Sequence, residues 1–235
     1  MSKVFTSPLV LLMFYSLSYA MKSQDSSRVK YINNIGAAAF FSPDYTSAHL
    51  AIGTGVSTMT PKQIVKPGFG YTSGINFIYY LKKGWAIQSG FSYSKWQYKD
   101  LWEYDYVNSQ NFNVISEKFT FTYYSIPLHI RYTCFFKKFS LFFYTGLSRY
   151  KIEKAILDGI YYIKKNGNFD RYVFDITSHE TTKYAHTGGI GINLKLTKKL
   201  DLFINPELRT MRREHALSFR RLHSWGLNVG LSYVF

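Results

Sequence analysis

The sequence predicts an all-β fold: an eight-stranded antiparallel up-and-down β-barrel that crosses a membrane. Three observations predict it. Aromatic residues make up 19% of the 235-residue chain, with 21 Tyr and 20 Phe, and such side chains suit a pleated surface. Long segments alternate strictly: in "WGLNVGLSYVF" the odd positions Trp225, Leu227, Val229, Leu231, Tyr233 and Phe235 are apolar, while Gly226, Asn228, Gly230 and Ser232 are small or polar. Finally, short and long connections take turns along the chain, the pattern of membrane barrels with tight turns at one end and long loops at the other.

The first twenty residues read as a secretory signal segment. Lys3 supplies the positive start, Pro8 to Leu17 the apolar stretch, and Ser18-Tyr19-Ala20 a small-x-small cleavage site. The barrel domain is then expected over 21–235, outside the cytoplasm. Cys134 is the single cysteine, so no intrachain disulfide forms, and it is assigned no chemistry. No run reaches the ~18 apolar residues of a membrane helix. Net charge is +15 at pH 7. For an exported chain that balance points to anionic lipid head groups and away from nucleic acid.

Eight strands are expected near 29–41, 67–81, 85–98, 117–133, 139–152, 183–197, 200–213 and 222–235. Tight turns carry paired lysines in "YLKKGW" (Lys82, Lys83), "FFKKFS" (Lys137, Lys138) and "LTKKLD" (Lys198, Lys199), where long side chains can reach head groups. Irregular connections are expected at about 42–66, 99–116, 153–182 and 214–221, the third with the alternative that "ILDGIYYIKKNGNFDRYVFDITSHE" extends strands five and six above the membrane through a turn at Asn166-Gly167. The last strand pairs on both sides, which closes the barrel and removes its edges.

Which face looks inward follows from size. In the second strand Gly70, Thr72, Gly74 and Asn76 alternate with Phe69, Tyr71, Ile75, Phe77 and Tyr79. Gln88, Gly90, Ser92 and Ser94 in the third, and Thr187, Gly189, Gly191 and Asn193 in the sixth, repeat the scheme. A soluble barrel would hold the bulky set inside and show charge outside. The polar set here carries almost no charge, and an eight-stranded barrel has room only for side chains that fill it. The bulky face therefore meets lipid, and small polar residues line the lumen. Two strands depart from this. In "FTFTYYSIPLHIRY" the apolar positions switch phase after Tyr123, through a bulge or because the upper half stands clear of the membrane. The fifth strand is apolar on both faces at Phe142 to Tyr144.

"SIPLHIRY" (Ser125 to Tyr132), the following "FSLFFYTGLSRY", "FGYTSGINFIYYLKKGWAIQSGFSYSKW" and "FFSPDYT" (Phe40 to Thr46) together resemble the PorT-type outer-membrane β-barrel domain over nearly all of residues 21–235. The resemblance implies an outer-membrane barrel of a Gram-negative bacterium, with relatives that assist protein secretion. Where that family often carries Glu this chain has Ser125, so no inward carboxylate is expected there. The terminal aromatics Tyr233 and Phe235 also resemble the signal read by the barrel-assembly machinery.

Candidate sites are few. Glu207 and Arg209 share the inward face of "LDLFINPELRTM", and His129 and Arg131 point inward from the fourth strand, giving a polar interior cluster. Such charges must be paired in a narrow lumen. Arg212, Arg213, Arg220 and Arg221 gather at the outer rim, where guanidinium groups would match lipopolysaccharide phosphates. For an enzyme the candidates are His223 beside Ser224, His186 near Thr187 and His179 beside Glu180, but neighbouring strand residues face opposite ways. No catalytic, cofactor or metal site is expected. The expected role is structural or interactive, through outward loops such as "EYDYVNSQNFNV" that would contact lipopolysaccharide or a protein partner in secretion or envelope integrity. The alternatives are a narrow pore or a lipid-modifying enzyme.

Overall fold

The computed structural model describes residues 34–50, 63–102, 112–136, 138–163, 167–177, 183–215 and 218–235. The expected signal segment, Lys137, His179–Glu180 and most of "EYDYVNSQNFNV" lie outside them.

The strands are β1 (Ile35–Leu50), β2 (Gln63–Tyr80), β3 (Trp85–Trp102), β4 (Phe112–Phe135), β5 (Phe139–Ile163), β6 (Asn168–Asp175), β7 (Lys183–Lys195), β8 (Leu200–His215) and β9 (Ser218–Val234). Eight of them pair as neighbours in one antiparallel sheet: β1 bonds both β2 and β9, and the β4–β5 pairing completes the ring. β6 stands outside the ring, bonded to the upper part of β5. The predicted eight-stranded barrel is the observed one.

Tight turns close the lower end. Between β2 and β3 the chain turns through Lys82–Gly84, with Lys83 at φ 58° and Gly84 at φ 82°. A side chain is strained in that left-handed region, which suits glycine. Phe235 donates its N–H to Ile35 O at 3.0 Å, at the same end.

The strands run farther upward than expected. β1 continues through Asp44 to Leu50, where an irregular connection was expected from residue 42. "SPDYT" alternates inward Ser42, Asp44 and Thr46 with outward Pro43 and Tyr45, a polar alternation that apolar periodicity does not reveal. β4 likewise begins at Phe112, and β5 reaches Ile163 before the Gly167 turn, so the expected upward extension of strand five is observed, with its returning arm β6 paired to β5 outside the ring.

Register shifts at Pro67/Tyr71, Val114/Ser116 and Thr122/Tyr123 set the upper faces. β4 keeps its phase: Phe119, Phe121, Tyr123, Ser125, His129 and Arg131 all point inward. Its apolar pattern switches because the surroundings change from lipid to water, the second of the two expected reasons. The shift beside Tyr123 belongs to β5, where Glu153 is the extra residue. Below it Phe142, Tyr144 and Tyr150 face inward, and above it Ala155 does.

The lumen is not lined by small polar residues alone. Phe142, Tyr144 and Phe203 fill its lower half. Trp96, Tyr98, Phe119, Phe121, Tyr123 and Tyr150 pack an aromatic layer in its upper half, with ring centroids such as Tyr98–Phe119 at 4.9 Å. Glycines make that room. At Gly191 an added Cβ would strike Phe142 and Asn205, so one strand's missing side chain holds a neighbour's ring.

Outside, Phe77, Trp85, Phe91, Ile126, Leu128, Ile130, Leu147, Trp225, Leu231 and Phe235 form a continuous exposed apolar girdle. Leu128 is 62% exposed and Ile130 60%. Soluble monomers rarely expose contiguous patches of more than a few hundred Å². Among the described residues no helix is long and apolar enough to cross a membrane; the strands do so instead.

Candidate functional site: lumen and outer rim

The interior is built around one guanidinium. Arg209 reaches across from β8 and donates Nη1–H to Asp44 Oδ2 at 2.7 Å and to Thr72 Oγ1 at 3.1 Å. Its Nη2 reaches Asn228 Oδ1 at 3.3 Å, and its Nε donates to Glu207, two residues along the same strand face. The Arg209 and Asp44 side chains are 3% and 0% exposed, so two carboxylates share one buried cation.

Neutral donors satisfy the remaining carboxylate lone pairs. Asp44 accepts from Trp96 Nε1 at 3.1 Å, from Ser42 Oγ at 2.8 Å and from the Thr72 hydroxyl. Glu207 accepts from the Tyr144 hydroxyl and from Asn228 Nδ2 at 3.2 Å. Tyr144 in turn accepts from Asn205 Nδ2 at 2.7 Å. Charge of this kind survives burial only when the geometry is good and the leftover lone pairs are bonded, as they are here.

The four residues expected as one cluster therefore divide. Glu207 and Arg209 meet directly. His129 joins at the edge, stacked on Tyr144 at a 5.0 Å centroid distance with its Nε2 3.5 Å from Ser148 Oγ. Arg131 stands apart, its guanidinium 3.8 Å from the Phe142 ring centroid and its Nη1 3.4 Å from Gln88 Oε1. Beside Arg131 lies a cavity of about 20 Å³ bounded by Gln88, Arg131, Phe142, Tyr144, Asn205 and Asn228, room for roughly one water.

Asp44 and Tyr144 are the functional residues that sequence reasoning missed. Asp44 sat in a stretch expected to be irregular. Tyr144 lay in the Phe142–Tyr144 run whose two faces look alike, and only the register settles that it points inward.

The rim arginines pair as backbone, Arg212 opposite Arg221 and Arg213 opposite Arg220, and their side chains lie outside the described set. Tyr233 and Phe235 are exposed at the lower margin with centroids 5.2 Å apart. Ser224 is buried and bonded to Thr46, whereas the neighbouring His223 sits 3.2 Å from Thr210 Oγ1 on the other face. His186 is exposed and Thr187 buried, so these two also diverge. Among the described residues no group of three His, Cys, Asp or Glu could hold a metal ion.

Above the girdle, β4, β5 and β6 continue as a projecting sheet. Arg171 of β6 donates to both oxygens of Asp158 on β5, at 2.7 and 2.6 Å. These bonds, with the charges of Arg171, Lys118 and Lys99, hold the Asp158 carboxyl below the ordinary aspartate range. The hairpin's share of stability from this pair is present above that ordinary value and is lost as pH falls through the lowered one. Nuclear magnetic resonance titration of Asp158 in micelles should thus find a midpoint below ~3.9. A midpoint at or above it means the pair does not form in solution.

A closed barrel with an apolar girdle outside and paired charge inside defines the class: this is an integral β-barrel of the bacterial outer membrane, set in lipid. No protein family and no curated protein matches the sequence. Among solved structures, the outer membrane protein OprG from Pseudomonas aeruginosa is similar at a TM-score of 0.50 and 11% identity, over 87% of this chain and 97% of that one. Neisserial surface protein A gives 0.49 at 13% identity, over 86% and 97% of the two chains. AlkL, solved in lipid bilayers by solid-state NMR, gives 0.46 at 14%, over 91% and 95%. At such identities the likeness speaks for the fold alone.

Proposed function

We propose that this protein is a non-conducting outer-membrane barrel that works through its outward surface, as a membrane-embedded interaction protein. The observation that carries this reading is the plugged lumen: the Asp44–Arg209–Glu207 network spans its middle and the aromatic layer around Trp96 and Phe121 fills its upper half. A chain that invests its interior in a fixed seal has its rim and projecting sheet left for partners. Purified protein in planar lipid bilayers is expected to give no discrete conductance steps; steady single-channel openings would overturn the reading.

One observation favours a second reading, a narrow cation path. Asp44 and Glu207 share the single guanidinium of Arg209, so a swing of Arg209 would leave a negative constriction. Cation-selective steps would support it.

Within the proposal, Arg212, Arg213, Arg220 and Arg221 contact lipopolysaccharide, a protein partner docks on the loops, and Tyr233 and Phe235 present the assembly signal to the barrel-assembly machinery. The PorT-type resemblance supports a task in secretion or envelope integrity. A non-enzymatic role accords with the diverging His223–Ser224 and His186–Thr187 pairs. Mass spectrometry of lipid A from cells with and without the protein tests that part, since a chemical difference would establish a lipid-modifying activity.

A further inference from the structure

The outward face of β2–β5 carries a ladder of cations that the one carboxylate at the end of its row, Asp158, does not balance. Lys66 lies directly opposite Lys99, and Lys99 directly opposite Lys118, all three exposed. Like charges in direct cross-strand register repel, so a solvated sheet gains nothing from this row. Among the described residues none of the three makes an ion pair. The next residue in the row, Asp158, is already held by Arg171.

A second tier lies nearer the membrane. Lys95 and Lys154 flank Thr122 in one row, and Lys151 lies opposite Tyr124 just below it. Tyr71, Tyr93 and Tyr124 follow, with centroids 6.3 and 5.4 Å apart, as part of the aromatic belt at the acyl boundary. From Tyr93 to Lys99 the strand climbs six residues, about 15 Å once strand tilt is allowed for.

The height of the ladder selects the ligand. A glycerophospholipid places its phosphate in one shallow layer, which reaches only the lower tier. A phosphorylated glycolipid that carries an acidic oligosaccharide presents anions both at the acyl boundary and well above it. We propose that the β2–β5 face is a binding site for such a lipopolysaccharide-type glycolipid. Lys95, Lys151 and Lys154 take the phosphates nearest the acyl chains, and the Lys66–Lys99–Lys118 row takes the acidic core sugars. Opposed lysines that repel in water then become a matched set of charge-assisted contacts. The site rests on the outward orientation of this rim in the proposed reading, and it is separate from the β8–β9 arginines.

The test uses the full protein in phosphatidylcholine nanodiscs with three probes: core-bearing lipopolysaccharide, lipid A without core sugars, and phosphatidylglycerol. The triple variant Lys66→Gln, Lys99→Gln, Lys118→Gln should weaken the core-bearing glycolipid about tenfold or more and leave sugar-free lipid A unchanged. The variant Lys95→Gln, Lys151→Gln, Lys154→Gln should weaken both. Unchanged affinity in the first variant, or phosphatidylglycerol binding as tightly as the glycolipid, would overturn the site. All six lysines project outward from formed strands, so a retained heat-modifiable band certifies that each variant folds. Labelling of Lys99→Cys by a membrane-impermeant maleimide on intact cells reports the orientation separately. If it fails, the outward rim reading falls; if it succeeds while the first variant still binds normally, only the ladder falls.

Discussion

Replacing Arg209 by Met is expected to cost the folded barrel about 3–5 kcal/mol, because it strands Asp44 and Glu207 as unpaired carboxylates in a water-poor lumen. Methionine keeps most of the volume, so the loss reads charge and hydrogen bonding rather than a cavity. Urea-dependent unfolding from lipid vesicles, followed by Trp fluorescence, measures it. Adding Asp44→Asn and Glu207→Gln to the same chain should recover a large part of the loss, since no uncompensated charge then stays buried. A single Arg209→Met as stable as the parent would mean the network is decorative, and the plugged lumen would lose its main support.

The second large effect tests the girdle. Leu128→Arg should destabilise the barrel in bilayers by about 2–4 kcal/mol, the cost of a cation facing acyl chains near the midplane. Phe169→Arg on β6 should be nearly neutral. Both side chains are 62% exposed, so a surface in water would treat them alike. The contrast isolates the solvent each one meets. Equal, small effects at the two positions would place Leu128 in water and take the membrane assignment with it.

Much of the architecture is legible in the sequence because lipid imposes one uniform demand on the outer face. Ile126, Leu128 and Ile130, or Trp225 through Phe235, can only be read one way. The upper half resists reading for the opposite reason. Above the acyl boundary the outside becomes aqueous, and Phe119, Phe121 and Tyr123 move to the inner set while β4 keeps its phase. Periodicity alone cannot tell a strand that shifts from surroundings that do.

The site was half visible. Glu207 and Arg209 declare themselves two residues apart on the face of the strand opposite Leu202, Ile204 and Leu208. Their third partner, Asp44, lies 165 positions from Arg209 and follows Pro43, in a segment that looks like the start of a loop. The lysine row is hidden more deeply, since its alignment depends on a register shift between Pro67 and Tyr71. Cross-strand neighbours are set by accumulated offsets along the whole meander, which no local window contains.

The separation between Asp44 and Arg209 carries a kinetic meaning. The partners sit on strands from the beginning and the end of the meander, so their bond cannot form until β9 has zipped onto β1. Contacts that span such lengths of chain come late and slowly, because ring closure must be paid in entropy first. The buried charge knot is thus a latch, thrown last, and a half-assembled sheet keeps its acids and its arginine wet until the seam shuts.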